Sequence, residues 1–188
     1  MIVVVLLFAS AVAGVLQAVM GFGAAILLMM VLPYFFDMLQ APALASSITL
    51  GASVALAWQF REYIRPKLVV LPTVLYEVSS IASLHAAGGL NMEGLGIAFG
   101  VFLILISLYF LLPFPTVRVS GGLMSTAVCA MVSGMSSGLF GIGGPLMAVY
   151  YLSVTEEKKV YAANLQFLFA LTSVINLTIR IQKWFYSL

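Results

Sequence analysis

Charge is what this sequence lacks most. Its 188 residues carry eight basic and six acidic side chains, one histidine and one cysteine. Charged residues amount to 7%, against roughly 25% in an ordinary water-soluble domain. So few charges cannot cover a surface of this size, which argues against a soluble enzyme. A net charge of +2 spread over separate short clusters excludes a phosphate-tracking groove for nucleic acid, which needs several Lys or Arg on one surface. Cys129 cannot form an intrachain disulfide, and one histidine with no close carboxylate pair leaves no set of metal ligands. No Lys-Ser or Lys-Thr follows the glycine-rich stretch, so it is not a phosphate loop. No nucleophile has a histidine at a credible spacing. The sequence predicts neither enzyme chemistry nor a resident cofactor or metal.

What is present is apolar. Hydrophobic residues make up 63%, among sixteen glycines, seven prolines and ten methionines, and mean hydropathy is +1.17. About 20 apolar residues cross a bilayer as a helix. That ruler marks blocks at 1–36, 43–60, 68–87, 94–112, 120–153 and 160–179, and predicts an all-α polytopic protein of the cell membrane. The first block resembles a signal peptide at Ala11-Val12-Ala13. It has no basic leader, however, and its apolar character continues beyond Gly14, so it reads as a retained membrane segment.

Blocks 1–36 and 120–153 are too long for one ordinary crossing, and each has a glycine-rich centre. One holds Gly21-Phe22-Gly23; the other holds Gly138, Gly141, Gly143, Gly144 and Pro145. Each is either a long tilted helix with an interfacial tail or a segment that breaks at the glycines and returns. Superposing Gly21 on Gly141 gives an offset of 120 residues, which also brings the second block over the sixth and Ser46 onto Gln166. The pattern divides the chain into a first repeat, 1–112, a linker, 113–119, and an incomplete second repeat, 120–188. If both long blocks cross once, loops 61–67, 118 and 180–183 share a side; if both return, 61–67, 118 and 158–159 do. Either way six basic residues face two, so the positive-inside rule leaves the choice open while making 61–67 and Arg118 cytoplasmic. Three crossings per half, in the returning arrangement, make the halves inverted.

Backbone amides freed by a break at membrane depth need partners in protein, water or ligand. The start of the following half-helix carries partial positive charge suited to an anion. Gly21, Gly23, Gly141, Gly143, Gly144 and Pro145 are therefore expected to border a binding site, with Ser46, Asn164 and Gln166 completing it from the second and sixth blocks. Gln17 supplies a further buried donor and acceptor. Ser47, Thr49 and Ser53, like Thr172, Ser173 and Asn176, either line a cavity or bond across helices. Glu77 is the acid well inside a crossing, with His85 two turns on, and both are candidates for coupling.

Leu139-Phe140-Gly141-Ile142-Gly143-Gly144-Pro145, followed by an apolar run and Ala163-Asn164, resembles the second-half signature of the TauE/SafE sulfite exporter family. Gly21-Phe22-Gly23 and Ser46-Ser47 resemble its first-half copy, with Ala24 and Ala25 where the family often continues with glycine. The resemblance covers nearly the whole chain. It implies a multi-pass carrier of a bacterial or archaeal plasma membrane, with two inverted halves, moving sulfite, sulfoacetate or related organosulfur anions by a secondary mechanism. Family members resemble two four-segment halves, whereas this sequence stops two segments into the second. The expectation is a fragment, or a short chain that completes its site as a homo-oligomer. The competing reading is a structural or accessory membrane subunit.

Overall fold

The computed structural model describes residues 2–38, 40–87, 89, 91–111 and 121–186. The linker 113–119 and Arg118 lie outside the described residues, as do parts of the 88–92 turn. The described chain is all-α: α1 Ile2–Met20, α2 Ala24–Val31, α3 Gln40–Gln59, α4 Pro66–Ala87, α5 Met92–Leu111, α6 Leu123–Phe140, α7 Gly144–Val154 and α8 Lys158–Tyr186. Among the described residues five helices are long and apolar enough to cross a membrane, namely α3, α4, α5, α6 and α8. Their outward faces are apolar. On α5, Ile97, Val101, Ile104, Leu105 and Leu108 are all exposed, the inverse of a soluble helix and the face that lipid covers.

Both long blocks break where the glycines stand. Gly21 and Gly141 take left-handed backbone, φ +80° and +72°, which side-chain-bearing residues disfavour. Each donates its N–H to the carbonyl four residues back, Gly21 to Gln17 and Gly141 to Ser137, both at 2.8 Å, closing the helix with a left-handed C-cap. After the break α2 folds back against α1, and α7 against α6. Pro145 falls in the first turn of α7, where its missing N–H costs nothing.

The charged loops bear on the two arrangements left open above. Arg65 pairs with Glu157 at 2.5 Å, and Lys159 Nζ donates to the Tyr63 hydroxyl at 3.1 Å. Loop 61–67 and the start of α8 therefore meet at one end of the bundle. Single crossings by both long blocks would separate them; returning blocks bring them together.

Two helix pairs form the body of the bundle, α4 with α6 and α3 with α8. The α4–α6 pair is close because Gly134 and Gly138, one turn apart, face Tyr76, Ser79, Ser80 and Ser83 of α4. Small residues at this spacing let backbones approach, the usual device for helix association in lipid. The last helix runs seven residues past the expected end of its block. Arg180, read from sequence as a loop charge, lies buried inside it and donates from Nη2 to the Gly138 carbonyl at 2.6 Å. A cation at the C-terminal turn of α6 complements the exposed carbonyls there.

Candidate functional site

The two breaks meet at one cavity. Gly23, Ala24, Ala25 and Ile26 border it from the first break, and Gly141, Ile142, Gly143, Gly144 and Pro145 from the second. Gln17, Ser46, Thr49, Ser53, Tyr76, Ser137, Thr172, Ser173 and Asn176 supply its polar side chains, and Phe22 and Phe169 its aromatic ones. The space is about 530 Å³ when the open solvent at its mouth is counted with it. Among the described residues no charged side chain lines it.

Most of the polar side chains have already spent their protons. Ser46 donates to the Pro42 carbonyl at 2.8 Å, Thr49 to Ala45 at 2.9 Å, and Thr172 to Glu77 Oε1 at 2.5 Å. Gln17 Nε2 donates to Ser53 Oγ at 2.7 Å and to Gln166 Oε1 at 3.1 Å. Beside the Ser53 and Ser173 hydroxyls, the backbone supplies further uncommitted donors. The first helical bond of α2 runs from Leu27 N–H to the Gly23 carbonyl, so Ala24, Ala25 and Ile26 precede it with no carbonyl of their own helix to bond. In α7 the corresponding positions are Gly144, Pro145 and Leu146, of which proline has no N–H. Two half-helix N-termini aimed at one uncharged cavity give it a positive potential without a salt bridge.

Of the residues expected at the site, Gly23, Ser46, Gly141, Gly143, Gly144 and Pro145 border the cavity. Gly21 and Gln166 lie just behind it. Gln166 Nε2 donates to the Gly21 carbonyl at 2.8 Å and its Oε1 accepts from Gln17, so it holds the first break in place and orients a lining amide. Asn164 sits elsewhere. It is fully buried, its Oδ1 accepting the Arg65 backbone N–H at 2.9 Å while Nδ2 donates to the Val160 carbonyl at 2.8 Å. It ties the 61–67 loop to α8, and Asn164→Ala leaves that amide unsatisfied at a cost of about 1–3 kcal/mol. The expected outcome is a lower melting temperature in detergent with unchanged anion selectivity. Glu77 lies behind Thr172, and His85 is exposed, with Nδ1 bonded to the Ile81 carbonyl at 2.8 Å.

Sequence reasoning missed Tyr76 and Ser137. The Tyr76 hydroxyl hydrogen-bonds Ser137, and Asn176 Nδ2 donates to Ser137 Oγ at 3.3 Å. Ser137 was within reach, since the same 120-residue offset places it over Gln17. Nothing in the sequence singles out Tyr76.

No curated protein and no solved structure matches this chain. The family model for the sulfite exporter TauE/SafE matches residues 6–186, and it spans both glycine breaks, the helices that surround them and the cavity between. The chain therefore belongs to the TauE/SafE family and is a multi-pass membrane protein of the transporter type.

Proposed function

We propose that the protein is a secondary carrier that moves small anions of the sulfite, sulfoacetate or related organosulfur type across the plasma membrane, binding them between the two glycine breaks. The observation that carries this reading is the convergence of two half-helix N-termini on a cavity that no charged side chain of the described residues lines. A carboxylate there would repel an anion, and a buried lysine or arginine would hold it too tightly to release. Partial charges from two helix ends bind without trapping. An accessory subunit has no use for such a cavity.

The cavity also supports the two-repeat reading, 1–112 and 120–188. Seven pairs of lining residues stand 120 apart: Gln17 and Ser137, Phe22 and Ile142, Gly23 and Gly143, Ala24 and Gly144, Ala25 and Pro145, Thr49 and Phe169, Ser53 and Ser173. Each break also packs on the other half, Gly21 against Tyr161 and Leu165 of α8, Gly141 against Pro42 of α3. If the two hairpins enter from opposite ends, the halves are inverted, the geometry on which alternating access relies.

The test is flux of sulfite, sulfate and sulfoacetate into sealed vesicles holding the purified, folded chain. Saturable flux of at least one, with competition by the others, is expected. An empty trace with all three from correctly inserted protein rejects the carrier.

A further inference from the structure

Glu77 is unexplained by the anion site. It lies midway along α4 and is 8% exposed. Its Oε1 accepts the Thr172 hydroxyl; its Oε2 is buried with no partner. One turn earlier on the same face, Thr73 is 6% exposed and its hydroxyl is also buried without a partner. Thr172 is the hinge of the arrangement, because it lines the cavity while its proton points away from the cavity, to Glu77.

The groups around Glu77 do not neutralise it. Beside it on α4 are Tyr76 and, two turns on, the exposed His85. The packed helix α6 offers Cys129, and α8 offers Tyr161 and Arg180, whose guanidinium bonds the Gly138 carbonyl. Tyr150 and Tyr151 of α7 carry no charge. Thr172 is the hydrogen-bond partner of Glu77 among the described residues. A buried carboxylate in this place has no cation beside it, among the described residues, to offset its charge.

We infer that Glu77 is a proton-binding site whose occupancy is coupled to the anion cavity through Thr172. This rests on the carrier reading. With Glu77 negative, an anion in the cavity meets a like charge one side chain away, and the Thr172 hydroxyl is turned from it. One proton on Oε2 removes the charge, gives Oε2 a donor where it had none to offer, and frees Thr172 to rotate its hydroxyl toward the anion. Proton and anion thus favour each other's binding, and by linkage the effect is reciprocal. The carrier moves the two together. The proton comes from bulk water and returns to it, and no bond of the anion changes.

The experiment compares the wild-type chain with Glu77→Gln, which keeps the shape and the acceptor for Thr172 but cannot titrate. Both are reconstituted in vesicles loaded with a pH-sensitive dye. Sulfite, sulfate and sulfoacetate are presented from pH 5.5 to 8 in sodium and in potassium buffers. The ratio of wild-type to variant affinity cancels any titration of the anion itself. For one coupled proton that ratio falls by up to about tenfold per pH unit as pH rises. Wild-type flux is expected to acidify the lumen with each anion carried, while Glu77→Gln carries the anion with no proton and no pH dependence of its own. Equal pH profiles and equal proton movement in the two proteins overturn the inference and leave the carrier standing. Wild-type flux that follows sodium and ignores pH overturns it too. No saturable flux of any of the three anions in either protein rejects the carrier reading, and the inference falls with it.

Discussion

Gly143→Ala is expected to abolish anion flux, lowering it by about 100-fold or more, while the protein still inserts and folds. The backbone at Gly143 has φ −121°, which alanine adopts freely, so no conformational strain is involved. The obstacle is space. A Cβ built there runs into the Tyr76 hydroxyl and lies 2.7 Å from both the Tyr76 ring and the Ser133 carbonyl. Relief requires Tyr76 to turn or the start of α7 to move. Overpacking of this kind costs about 1–3 kcal/mol, within what a folded bundle tolerates. Function suffers more than stability because the displaced atoms are the site: the first turn of α7 supplies its amides and Tyr76 supplies its phenol. Displacement of binding groups by about 1 Å is enough for a 100-fold loss. Adding Tyr76→Phe removes the nearest clashing atom and is expected to recover part of the lost thermal stability. It recovers only part, because the ring carbon and the Ser133 carbonyl remain, and the flux stays low without the hydroxyl. Near wild-type flux from Gly143→Ala would show that the anion does not pass this point.

Much of this arrangement was readable from residue order alone, and what escaped shares a cause. The breaks were visible because glycine clusters in an apolar run have few other uses, and φ +80° at Gly21 and +72° at Gly141 make that use concrete. Pro66 begins α4, a boundary that proline sets just as locally. Arg180 was misplaced because a charge in sequence looks like a loop until its acceptor is known, and the Gly138 carbonyl lies 42 residues away. Asn164 stands beside the family-like Ala163, which drew it toward the cavity, yet its partner is the Arg65 amide, 99 residues distant. Tyr76 reaches the cavity through the close approach of α4 and α6. That approach has a sequence signal, Gly134 and Gly138 one turn apart, but the signal says that a helix will come close without saying which. Local chemistry was legible; pairings between distant segments were not.

Those two glycines carry the largest expected effect on stability. Gly138→Ala is expected to cost about 3 kcal/mol, the top of the usual range for overpacking, and Gly138→Leu to prevent recovery of folded protein from detergent. A Cβ at Gly138 falls on Ser83 Oγ and on the Ser80 carbonyl, with the Leu84 amide nitrogen 3.1 Å away; one at Gly134 falls on Ser79 Oγ and the Tyr76 carbonyl. A side chain in the way could rotate. A backbone carbonyl cannot, so the helices must separate along their length, and the Tyr76, Ser137 and Asn176 contacts that shape one wall of the cavity open with them. The Arg180 bond to the Gly138 carbonyl is strained by the same movement, leaving a guanidinium to find another acceptor in a buried place. Glycines that face open space provide the contrast. A Cβ at Gly51 of α3 or Gly100 of α5 meets nothing within 4 Å, so alanine there is expected to stabilise by roughly 0.5–1 kcal/mol through helix propensity alone. Thermal unfolding of the four alanine variants in one detergent measures the separation. If Gly134→Ala and Gly138→Ala melt with Gly51→Ala and Gly100→Ala, then α4 and α6 do not touch as described, and the wall built on that contact goes too.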